Sequence, residues 1–381
     1  METLRRYMRD PQRVGRRDRR LRPGRGSAAT IAVALALLAG CGTDAEDAAP
    51  GSSTSAPSTT AVATTTTRPE GRPAPPPLPA PNPPPTNAAP AALGDPLLDQ
   101  QWAVTQLRLP EVWNRGARGE GVVIAVVDTG VDLDHPDLVD RLVPGIDVVD
   151  GDPIPQDTNG HGTHVAGIAA ATSDNGVGIA GTAPLARIMP VRVLGTDGTG
   201  TDDGIARGID WAVANGADVV NLSLGESGVL SRISKGGPLN AAIRNAAGRG
   251  VVVLAAAGNE GATKRNYRAG TPTLVVNATD EAGRLAQFSN SGDLRAVAAP
   301  GVGILSTAPN EPTALWPAGS GGYERLDGTS MATPIVSGVA ALLIAAGVDP
   351  ATIIDRITQT ANSNGNPQLG AGVVNPVAAT P

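Results

Sequence analysis

The chain is poor in cysteine, which can form disulfide cross-links, and in aromatic residues, which often fill protein cores. Its 381 residues include one cysteine, Cys41, so a disulfide within the chain is excluded. Aromatic residues make up 2% of the sequence, and Phe288 is the sole phenylalanine. The core must therefore be built from valine, isoleucine, leucine and alanine, a composition typical of buried parallel strands.

A cationic surface is lacking outside the N-terminus. The formal net charge is −6, but residues 1–26 hold ten arginines and three acidic residues. The rest of the chain then has 20 basic and 33 acidic side chains. Because proteins that bind nucleic acid need a positive footprint for the phosphates, this composition argues against nucleic acid as a partner. It suits an extracellular enzyme that binds divalent cations.

The N-terminus has the pattern of an export signal. The apolar run at residues 28–39 is too short to span a bilayer and fits the hydrophobic region of a signal peptide. It ends in LAGC (residues 38–41), which resembles the lipobox of bacterial lipoproteins, where cleavage precedes an acylated cysteine. An ordinary secretory signal with an incidental cysteine is the alternative. Met8 as the start and a weak twin-arginine signal at Arg16 and Arg17 also remain open.

The sequence divides into three regions. Residues 1–40 are predicted to be the signal peptide with its lipobox. Residues 41–92, rich in proline, threonine and alanine, are predicted to be a disordered tether, because they bury too little apolar surface to offset the entropy of ordering. Residues 93–381 are predicted to form the globular domain. We expect an exported monomer, held at the extracellular face of the cell membrane by a lipid on Cys41.

The third region predicts an α/β fold. Apolar, valine-rich segments of strand length alternate with stretches of helical spacing, as in doubly covered parallel sheets. The predicted strands are 122–128, 187–194, 218–224, 251–258 and 273–278, and the predicted helices are 202–215 and 239–247, followed by Gly216 and Gly248. This order predicts a three-layer sandwich with a mainly parallel central sheet. The chemistry of such folds lies at the carboxyl ends of the strands.

Three motifs carry candidate catalytic side chains. The strand at 122–127 leads directly into Asp128, with Gly130 in the turn beside it. NGHGTHVAG places His161 at the start of a small-residue helix, and DGTSMATP places Ser330 at the N-terminus of an apolar helix. A nucleophilic serine needs a base to accept its proton and a carboxylate to orient that base. At a helix N-terminus, the backbone N–H of the serine can also face a developing oxyanion.

Four sequence blocks, AVVDTGVD, NGHGTHVAG, AAAGNEG and GTSMATP, closely resemble the signatures of the subtilase family. The resemblance covers residues 95–378 and includes the order Asp, His, Ser that subtilisins use. It implies a serine endopeptidase that hydrolyses polypeptides through an acyl-enzyme, with Asp128, His161 and Ser330 as the triad. It also implies that Asn259 donates to the oxyanion. A plain turn role for Asn259, between two glycines, is the alternative.

The resemblance further implies how the substrate binds. Two backbone edges would pair with it as an added strand, beside a roomy first specificity pocket with one acid at its rim. The implied residues are Gly198, Thr199, Gly200, Ser223, Leu224, Gly225, Ala256, Gly258 and Glu260. Ordinary turn chemistry is the alternative for the glycines. Arg268 and Asn277 stand where relatives usually have Pro and Gly, and Ile335 replaces a frequent His.

Calcium is the cofactor that the resemblance implies, since a cage of oxygen atoms suits this hard cation. The implied ligands are the side chains of Asp95, Asp137 and Asn175 and the carbonyls of Thr172, Val177 and Ile179. A zinc site at His161 and His164 is not favoured, because His135 is the sole further histidine and an HExxH motif is absent. We expect His164 and His135 to be structural.

Other classes fit less well. The GxSxG elbow of an α/β-hydrolase is absent, and GTDGTG at 195–200 lacks the spacing of a dinucleotide loop. The rival hypothesis is a catalytically inactive surface lipoprotein that uses the fold as a binding module, but the four candidate catalytic positions favour an enzyme. Residues 42–92 resemble no folded propeptide, so we expect activity without proteolytic maturation.

Overall fold

The computed structural model describes residues 94–224, 237–264 and 270–381. The predicted signal peptide, lipobox and tether lie outside these residues, as do Gly225 and Arg268. In the described part of the chain, no helix is both long enough and apolar enough to cross a membrane.

A seven-stranded parallel sheet lies at the centre of the domain. Its strands are β1 (Val123–Asp128), β2 (Ile146–Asp147), β3 (Arg187–Arg192), β4 (Val219–Leu222), β5 (Val252–Ala256), β6 (Leu274–Thr279) and β7 (Ala296–Pro300). Their spatial order is β2-β3-β1-β4-β5-β6-β7, and every neighbouring pair is parallel. A separate antiparallel hairpin consists of β8 (Ile304–Thr307) and β9 (Tyr323–Leu326). The strand that ends in Asp128 is therefore an interior strand of the sheet, with β3 and β4 as its neighbours.

Helices cover both faces of the sheet. They are α1 (Trp102–Gln106), α2 (Leu109–Asn114), α3 (His161–Ala170), α4 (Asp202–Ala214), α5 (Pro238–Gly248), α6 (Thr329–Ala345), α7 (Ile353–Thr360) and α8 (Pro376–Ala379). Short 3-10 turns occur at Leu98–Gln100, Val139–Arg141, Pro350–Thr352 and Pro367–Leu369. Helix α6 is buried almost throughout, as expected of a helix that is apolar on all sides.

The alternation of side chains along β1 explains the three layers. Ile124 and Val126 belong to the core that contains α3 and α6, whereas Ala125 and Val127 belong to the core that contains α4 and α5. All four side chains are fully buried. Because successive side chains of a strand point to opposite faces, a continuous apolar run is what a strand covered on both sides requires.

The fold class predicted from the sequence is confirmed, while some details differ. All five predicted strands form, most of them shorter than predicted, and α4 ends before Gly216, which has a φ of +98°. The prediction that Gly248 follows the second helix was wrong. Helix α5 includes Gly248, and Gly250 (φ +78°) adopts the left-handed conformation instead. The short strands β2, β7, β8 and β9 were not predicted from the sequence.

Candidate active site

The candidate catalytic residues lie at the carboxyl edge of the sheet. Asp128 is the last residue of β1, and Asn259 follows the end of β5 by three residues. His161 is the first residue of α3, and Ser330 is the second residue of α6. Because α3 packs against α6, the fold brings strand ends and helix N-termini to one place, as expected for this architecture.

Asp128 and His161 are joined directly. Nδ1 of His161 lies 2.7 Å from Oδ1 of Asp128, and the backbone N–H of Thr129 donates to the same oxygen at 2.8 Å. The Asp128 side chain is fully buried, whereas that of His161 is 23% exposed. In the described residues, Oδ2 of Asp128 has no hydrogen-bond partner. The carboxylate thus fixes the ring through Nδ1, which makes Nε2 the nitrogen that can exchange a proton with a substrate or nucleophile.

A glycine permits the close approach of α3 to the end of β1. A Cβ atom on Gly162 would lie 2.1 Å from the carbonyl oxygen of Gly130 and 3.2 Å from Cβ of Asp128. Any side chain at this position would therefore push the first turn of the helix, with His161, away from the carboxylate. This contact gives a physical reason for the glycine that follows the histidine.

Ser330 is fixed by its backbone and by its side chain. It is 4% exposed, and its Oγ donates to the carbonyl of Ser223 at 3.0 Å. Its own carbonyl accepts a hydrogen bond of 2.9 Å from Oγ of Ser223. Ser330 is the second residue of a 17-residue helix, so its backbone N–H has no acceptor within the helix. That N–H is therefore a donor at the positive end of the helix dipole.

Asn259 has a fixed amide orientation. Its Oδ1 accepts from the backbone N–H and the hydroxyl of Thr329, both at 2.9 Å. Its Nδ2 and the backbone nitrogen of Ser330 lie 3.6 Å and 3.5 Å from the point where a Cβ of Gly328 would be. Two N–H donors, one from a side chain and one from the backbone, thus lie beside the same glycine.

The other two histidines bond to backbone atoms. Nε2 of His164 donates to the carbonyl of Glu324 at 3.0 Å, and burial lowers the pKa of His164 to about 3, so its ring is neutral. Nε2 of His135 donates to Gly322 at 2.9 Å, and its ring packs edge-on against Tyr323. Among the described residues, no group of three or more His, Cys, Asp and Glu side chains is arranged to hold a metal ion.

Asp157 is a site residue that the sequence analysis missed. It is 3% exposed and accepts hydrogen bonds from the residues around His161 and from the residue after Asp128. The signal in the sequence was an acidic residue four positions before the histidine, in the polar turn that leads into a helix.

Comparison with known proteins identifies the family. Residues 119–373, more than half of the chain, match the family model described as Subtilase family. The chain belongs to the subtilase family. It is 44% identical over 264 residues to thermitase from Thermoactinomyces vulgaris, covering 69% of this chain and 88% of thermitase. It is 42% identical over 283 residues to subtilisin BL from Lederbergia lenta, covering 73% of this chain and 98% of that protein.

A solved structure agrees with the sequence comparisons. A protease from Pseudoalteromonas arctica aligns with a TM-score of 0.67 and 35% identity. The alignment covers 76% of this chain and 99% of that one. The predicted family and fold are confirmed, and the chain is a serine endopeptidase of the subtilisin type.

The predicted substrate edges of this subtilase flank the strand that carries Asp128. Residues 198–200 follow β3 and residues 223–224 follow β4, and these two strands are the neighbours of β1. The first loop is closed by Gly195, whose N–H donates to the carbonyl of Thr199 at 2.8 Å. Nδ2 of Asn159 donates to the carbonyl of Thr196 at 2.8 Å, so the loop is also tied to the turn before His161.

The predicted pocket residues follow the end of β5. Gly258 has a φ of +96°, and a Cβ there would lie 2.9 Å from Oε2 of Glu260 and 2.5 Å from Nδ2 of Asn290. Burial raises the pKa of Glu260, but hydrogen bonds from Asn290 and Lys264 outweigh burial, and the pKa is lowered overall. Asn277 is buried and donates to the carbonyl of Gln368 at 2.8 Å. Ala256, the last residue of β5, is also buried.

The predicted calcium ligands of this subtilase form one connected cluster. Oδ1 of Asp137 accepts from Nδ2 of Asn175 at 2.8 Å, and Oδ2 accepts from the N–H of Ile179 at 2.9 Å. Oδ1 of Asp95 accepts from the N–H of Asn175 at 3.3 Å. The N–H of Thr172 donates to the carbonyl of Asp137 at 3.0 Å. Val177 joins this cluster through its N–H, which donates to Oδ1 of Asn175 at 2.8 Å.

The residue types of the cluster are those that supply oxygen ligands to a hard cation. Burial raises the pKa of both Asp137 and Asp95. The negative charges of nearby carboxylates raise the pKa of Asp95 further. Oγ1 of Thr172 is buried and has no hydrogen-bond partner in the described residues. Two carboxylates with an amide and backbone carbonyls are the donor set that calcium takes in proteins.

Proposed function

We propose that this subtilase hydrolyses peptide bonds in polypeptide substrates, with Ser330 as nucleophile, His161 as general base and Asp128 as the residue that orients the base. The observation that carries this assignment is the 2.7 Å contact between Nδ1 of His161 and Oδ1 of Asp128. It fixes the imidazole through one nitrogen and assigns proton transfer to the other, which is the division of roles that a catalytic triad requires.

The reaction proceeds in two halves. Oγ of Ser330 attacks the carbonyl carbon of the scissile bond while Nε2 of His161 takes the hydroxyl proton, and the buried charge of Asp128 stabilises the imidazolium. The imidazolium then gives this proton to the leaving amine, so the C–N bond breaks and an acyl-enzyme remains. Water repeats the sequence on the acyl-enzyme and regenerates Ser330.

Two donors stabilise the charge on the carbonyl oxygen during both halves. We assign them to Nδ2 of Asn259 and the backbone N–H of Ser330. The support is their position beside Gly328 and the hydrogen bonds from Thr329 that hold the oxygen of the Asn259 amide. Donors that are fixed before the reaction need no reorganisation when charge develops, which makes them effective. An oxyanion role accounts for this orientation better than a turn role does.

The substrate binds as an extended strand between residues 198–200 and 223–225, with the first specificity pocket at Ala256, Gly258 and Glu260. Residues 198–200 and 223–224 follow the strands on either side of β1, and an extended chain bound between these segments would lie near Asp128 at the end of β1. Main-chain hydrogen bonds of this kind give affinity with little dependence on side chains. Glu260 places an ionised carboxylate at the pocket rim, where it is paired with Lys264 and bonded to Asn290.

A calcium ion would be held by the side chains of Asp95, Asp137 and Asn175 and by the carbonyls of Thr172, Val177 and Ile179. When bound, it supplies a positive charge that favours the ionised carboxylates and thereby the folded state. No catalytic step uses this site. The ion would join the N-terminal segment at Asp95 to the loops at residues 137 and 172–179.

The protein acts as a monomer outside the cell, held at the extracellular face of the membrane by a lipid on Cys41. The support is the apolar run at 28–39 that ends in LAGC, and the position of the only cysteine within it. This segment lies outside the described residues. An exported enzyme also agrees with the acidic composition of the rest of the chain.

A fluorophosphonate probe tests the catalytic assignment. The probe forms a covalent adduct only with an activated serine, so we expect one adduct on Ser330 in folded, calcium-loaded protein and none in Ser330→Ala. An exposed serine, Ser363, provides a control for unspecific labelling. Folded parent protein that shows neither an adduct nor peptide hydrolysis would support the rival hypothesis, an inactive surface lipoprotein that uses the fold for binding.

A further inference from the structure

Asp157 is a buried carboxylate outside the three residues of the proposed triad. It is 3% exposed and accepts five hydrogen bonds. The donors are the backbone N–H groups of Asn159, Gly160 and Thr163 and the hydroxyls of Thr129 and Thr163. None of these five donors is a cationic side chain. Burial raises the pKa of Asp157, whereas the hydrogen bonds from Thr163, Gly160 and Thr129 lower it and favour the ionised form. A buried carboxylate whose two oxygens are satisfied in this way fixes the positions of its donors.

One arm of this network leads to Asp128. Oγ1 of Thr129 donates to Oδ1 of Asp157 at 2.9 Å and accepts from the N–H of Gly162 at 2.9 Å. The N–H of the same threonine donates to Oδ1 of Asp128 at 2.8 Å, the oxygen that contacts His161. Thr129 therefore connects the proposed orienting carboxylate, the start of α3 and Asp157.

The other arm caps the helix that begins with His161. Gly160 occupies the N-cap position and has no side chain that could accept a hydrogen bond. Asp157 replaces it: its Oδ1 accepts from the N–H of Gly160 at 2.8 Å, and its Oδ2 accepts from the N–H of Thr163 at 2.9 Å. A negative charge at this end also interacts favourably with the helix dipole. The carboxylate thus holds the first turn of α3 on both sides of His161.

The network requires a carboxylate rather than an amide. Oδ1 accepts from the backbone N–H groups of Asn159 and Gly160, and Oδ2 accepts from that of Thr163. In an asparagine, whichever way the amide is turned, its NH2 group faces at least one of these backbone donors. Because a buried N–H left facing another N–H loses its hydrogen bond, Asp157→Asn must displace the turn or the helix start.

We propose that Asp157 is a positioning residue of the active site, which sets the distance and angle between His161 and Asp128 by bonding to Thr129 and to the first turn of α3. Its consequence for the rate rests on the proposed function. Because proton transfer in a triad depends on alignment, a displacement of about 1 Å can cost on the order of a hundredfold in rate. Asp157 itself touches neither the substrate nor the reacting atoms.

The test compares isosteric variants on the two arms. Asp157→Asn disturbs the whole network, Thr129→Val removes the hydroxyl that bridges Asp157 and Gly162, and Thr129→Ser restores it. Asp147→Asn is the control, since Asp147 is also a buried aspartate but accepts the N–H groups of Val149 and Asp150 and forms an ion pair with Arg192. Each variant is measured by its melting temperature, kcat, KM and the pH dependence of kcat/KM. The low-field NMR resonance of the proton on Nδ1 of His161 reports the contact with Asp128 directly.

We expect Asp157→Asn to lower kcat by about 10- to 100-fold, to change KM by less than about twofold and to shift the Nδ1 resonance. Thr129→Val should act in the same direction and Thr129→Ser should restore the parent values. The double variant Asp157→Asn, Thr129→Val should lose less than the product of the two single losses, because both changes act on one network. Asp147→Asn should alter the melting temperature without moving the resonance.

The proposal is overturned if folded Asp157→Asn and Thr129→Val keep the parent resonance and pH profile and lose only thermal stability. If Asp157→Asn does not fold, the comparison of Thr129→Val with Thr129→Ser decides the question alone. The resonance also separates this proposal from the proposed function. A parent protein without hydrolysis or fluorophosphonate labelling would disprove the enzyme assignment, while a shifted resonance in the variants would still support the positioning role.

Discussion

Ser330 and Ser223 hold each other by reciprocal hydrogen bonds. Oγ of Ser330 donates to the carbonyl of Ser223 at 3.0 Å, and Oγ of Ser223 donates to the carbonyl of Ser330 at 2.9 Å. The end of β4 is thereby fastened to the first turn of α6. In this geometry the carbonyl of Ser223 is an acceptor for the Ser330 hydroxyl, whereas the proposed mechanism requires the hydroxyl to donate to Nε2 of His161.

The first prediction concerns the triad as a unit. Ser330→Ala should leave the fold intact and lower kcat by about a millionfold, because only oxyanion stabilisation and substrate binding remain. His161→Ala should cost a similar factor. The double variant should be no slower than either single variant, since neither residue functions without the other. Steady-state kinetics on a chromogenic peptide measure all three, and multiplying losses in the double variant would contradict the assignment.

The second prediction concerns Asn259. Asn259→Ala removes one of the two proposed donors to the oxyanion, so kcat should fall by about 10² to 10³ with little change in KM. Thr329→Val keeps Asn259 but removes one hydrogen bond that orients its amide. It should therefore lower kcat by a smaller factor. An Asn259→Ala variant that changes KM and leaves kcat intact would indicate ground-state binding instead of an oxyanion role.

The fold could be predicted from the sequence at places where one physical requirement, such as burial on both faces of a strand, determines the residue types. The strand before Asp128 is apolar at every position because both of its faces are buried, and that run alone gives the strand and its place in a covered sheet. The glycine after His161 and the small residues of α3 reflect close packing. The residues of the proposed triad could be picked out from the sequence because each stands at the end of such an element, and their roles stay a prediction.

Other features could not be predicted because they depend on partners far apart in the sequence. Strand β2 has two residues and forms through pairing with β3, so it has no periodicity of its own. Asp157 looks like any polar residue in a turn, and its importance comes from donors that folding places around it, Thr129 being 28 positions away. The end of α5 was also not predictable, because the sequence does not tell whether Gly248 or Gly250 adopts the left-handed conformation that follows the helix.

The third prediction concerns how the free energy of unfolding changes at acidic pH. Burial lowers the pKa of His164 to about 3, whereas a histidine in the unfolded chain binds a proton below about pH 6.5. Between these values the unfolded state binds more protons than the folded state. The free energy of unfolding should therefore fall as the pH drops below about 6.5, by at most about 1.4 kcal/mol per pH unit from this residue.

His164→Gln tests this prediction. Glutamine does not titrate, and its amide can still donate to the carbonyl of Glu324, the acceptor of His164. In urea unfolding between pH 4 and pH 8, the free energy of unfolding should fall less steeply with decreasing pH in the variant than in the parent. Parallel curves would mean that other groups cause the acid sensitivity.

The fourth prediction concerns calcium. Chelation should lower the melting temperature and increase autolysis, because a ligand that binds only the folded state adds about 2.7 kcal/mol at a hundredfold excess over Kd. Asp137→Asn should abolish the response to added calcium, since its carboxylate lies at the centre of the cluster. Asp349→Asn, at an exposed turn, should keep the response. Calorimetry with and without chelator measures the effect, and a parent protein indifferent to both would refute the site.

The fifth prediction concerns the N-terminal region, which lies outside the described residues. Cys41→Ala should release the protein from the membrane fraction into the medium, because it removes the proposed lipid anchor. Cys41→Ser, which also lacks the thiol, should behave in the same way. Activity should be unchanged in both, since Cys41 has no part in the proposed chemistry. Continued membrane association of either variant would contradict lipid anchoring.

The same soluble product tests whether maturation is needed. Residues 42–92 resemble no folded propeptide, so nothing in them is expected to block the site or to need removal. The intact mass of the active Cys41→Ala protein should therefore show that these residues are retained. A second preparation with Ser330→Ala serves as control, because it cannot cleave itself and fixes the mass of the uncut chain. Activity that arises only after a cut near Gly94, absent from the Ser330→Ala control, would refute activity without maturation and leave the triad assignment untouched.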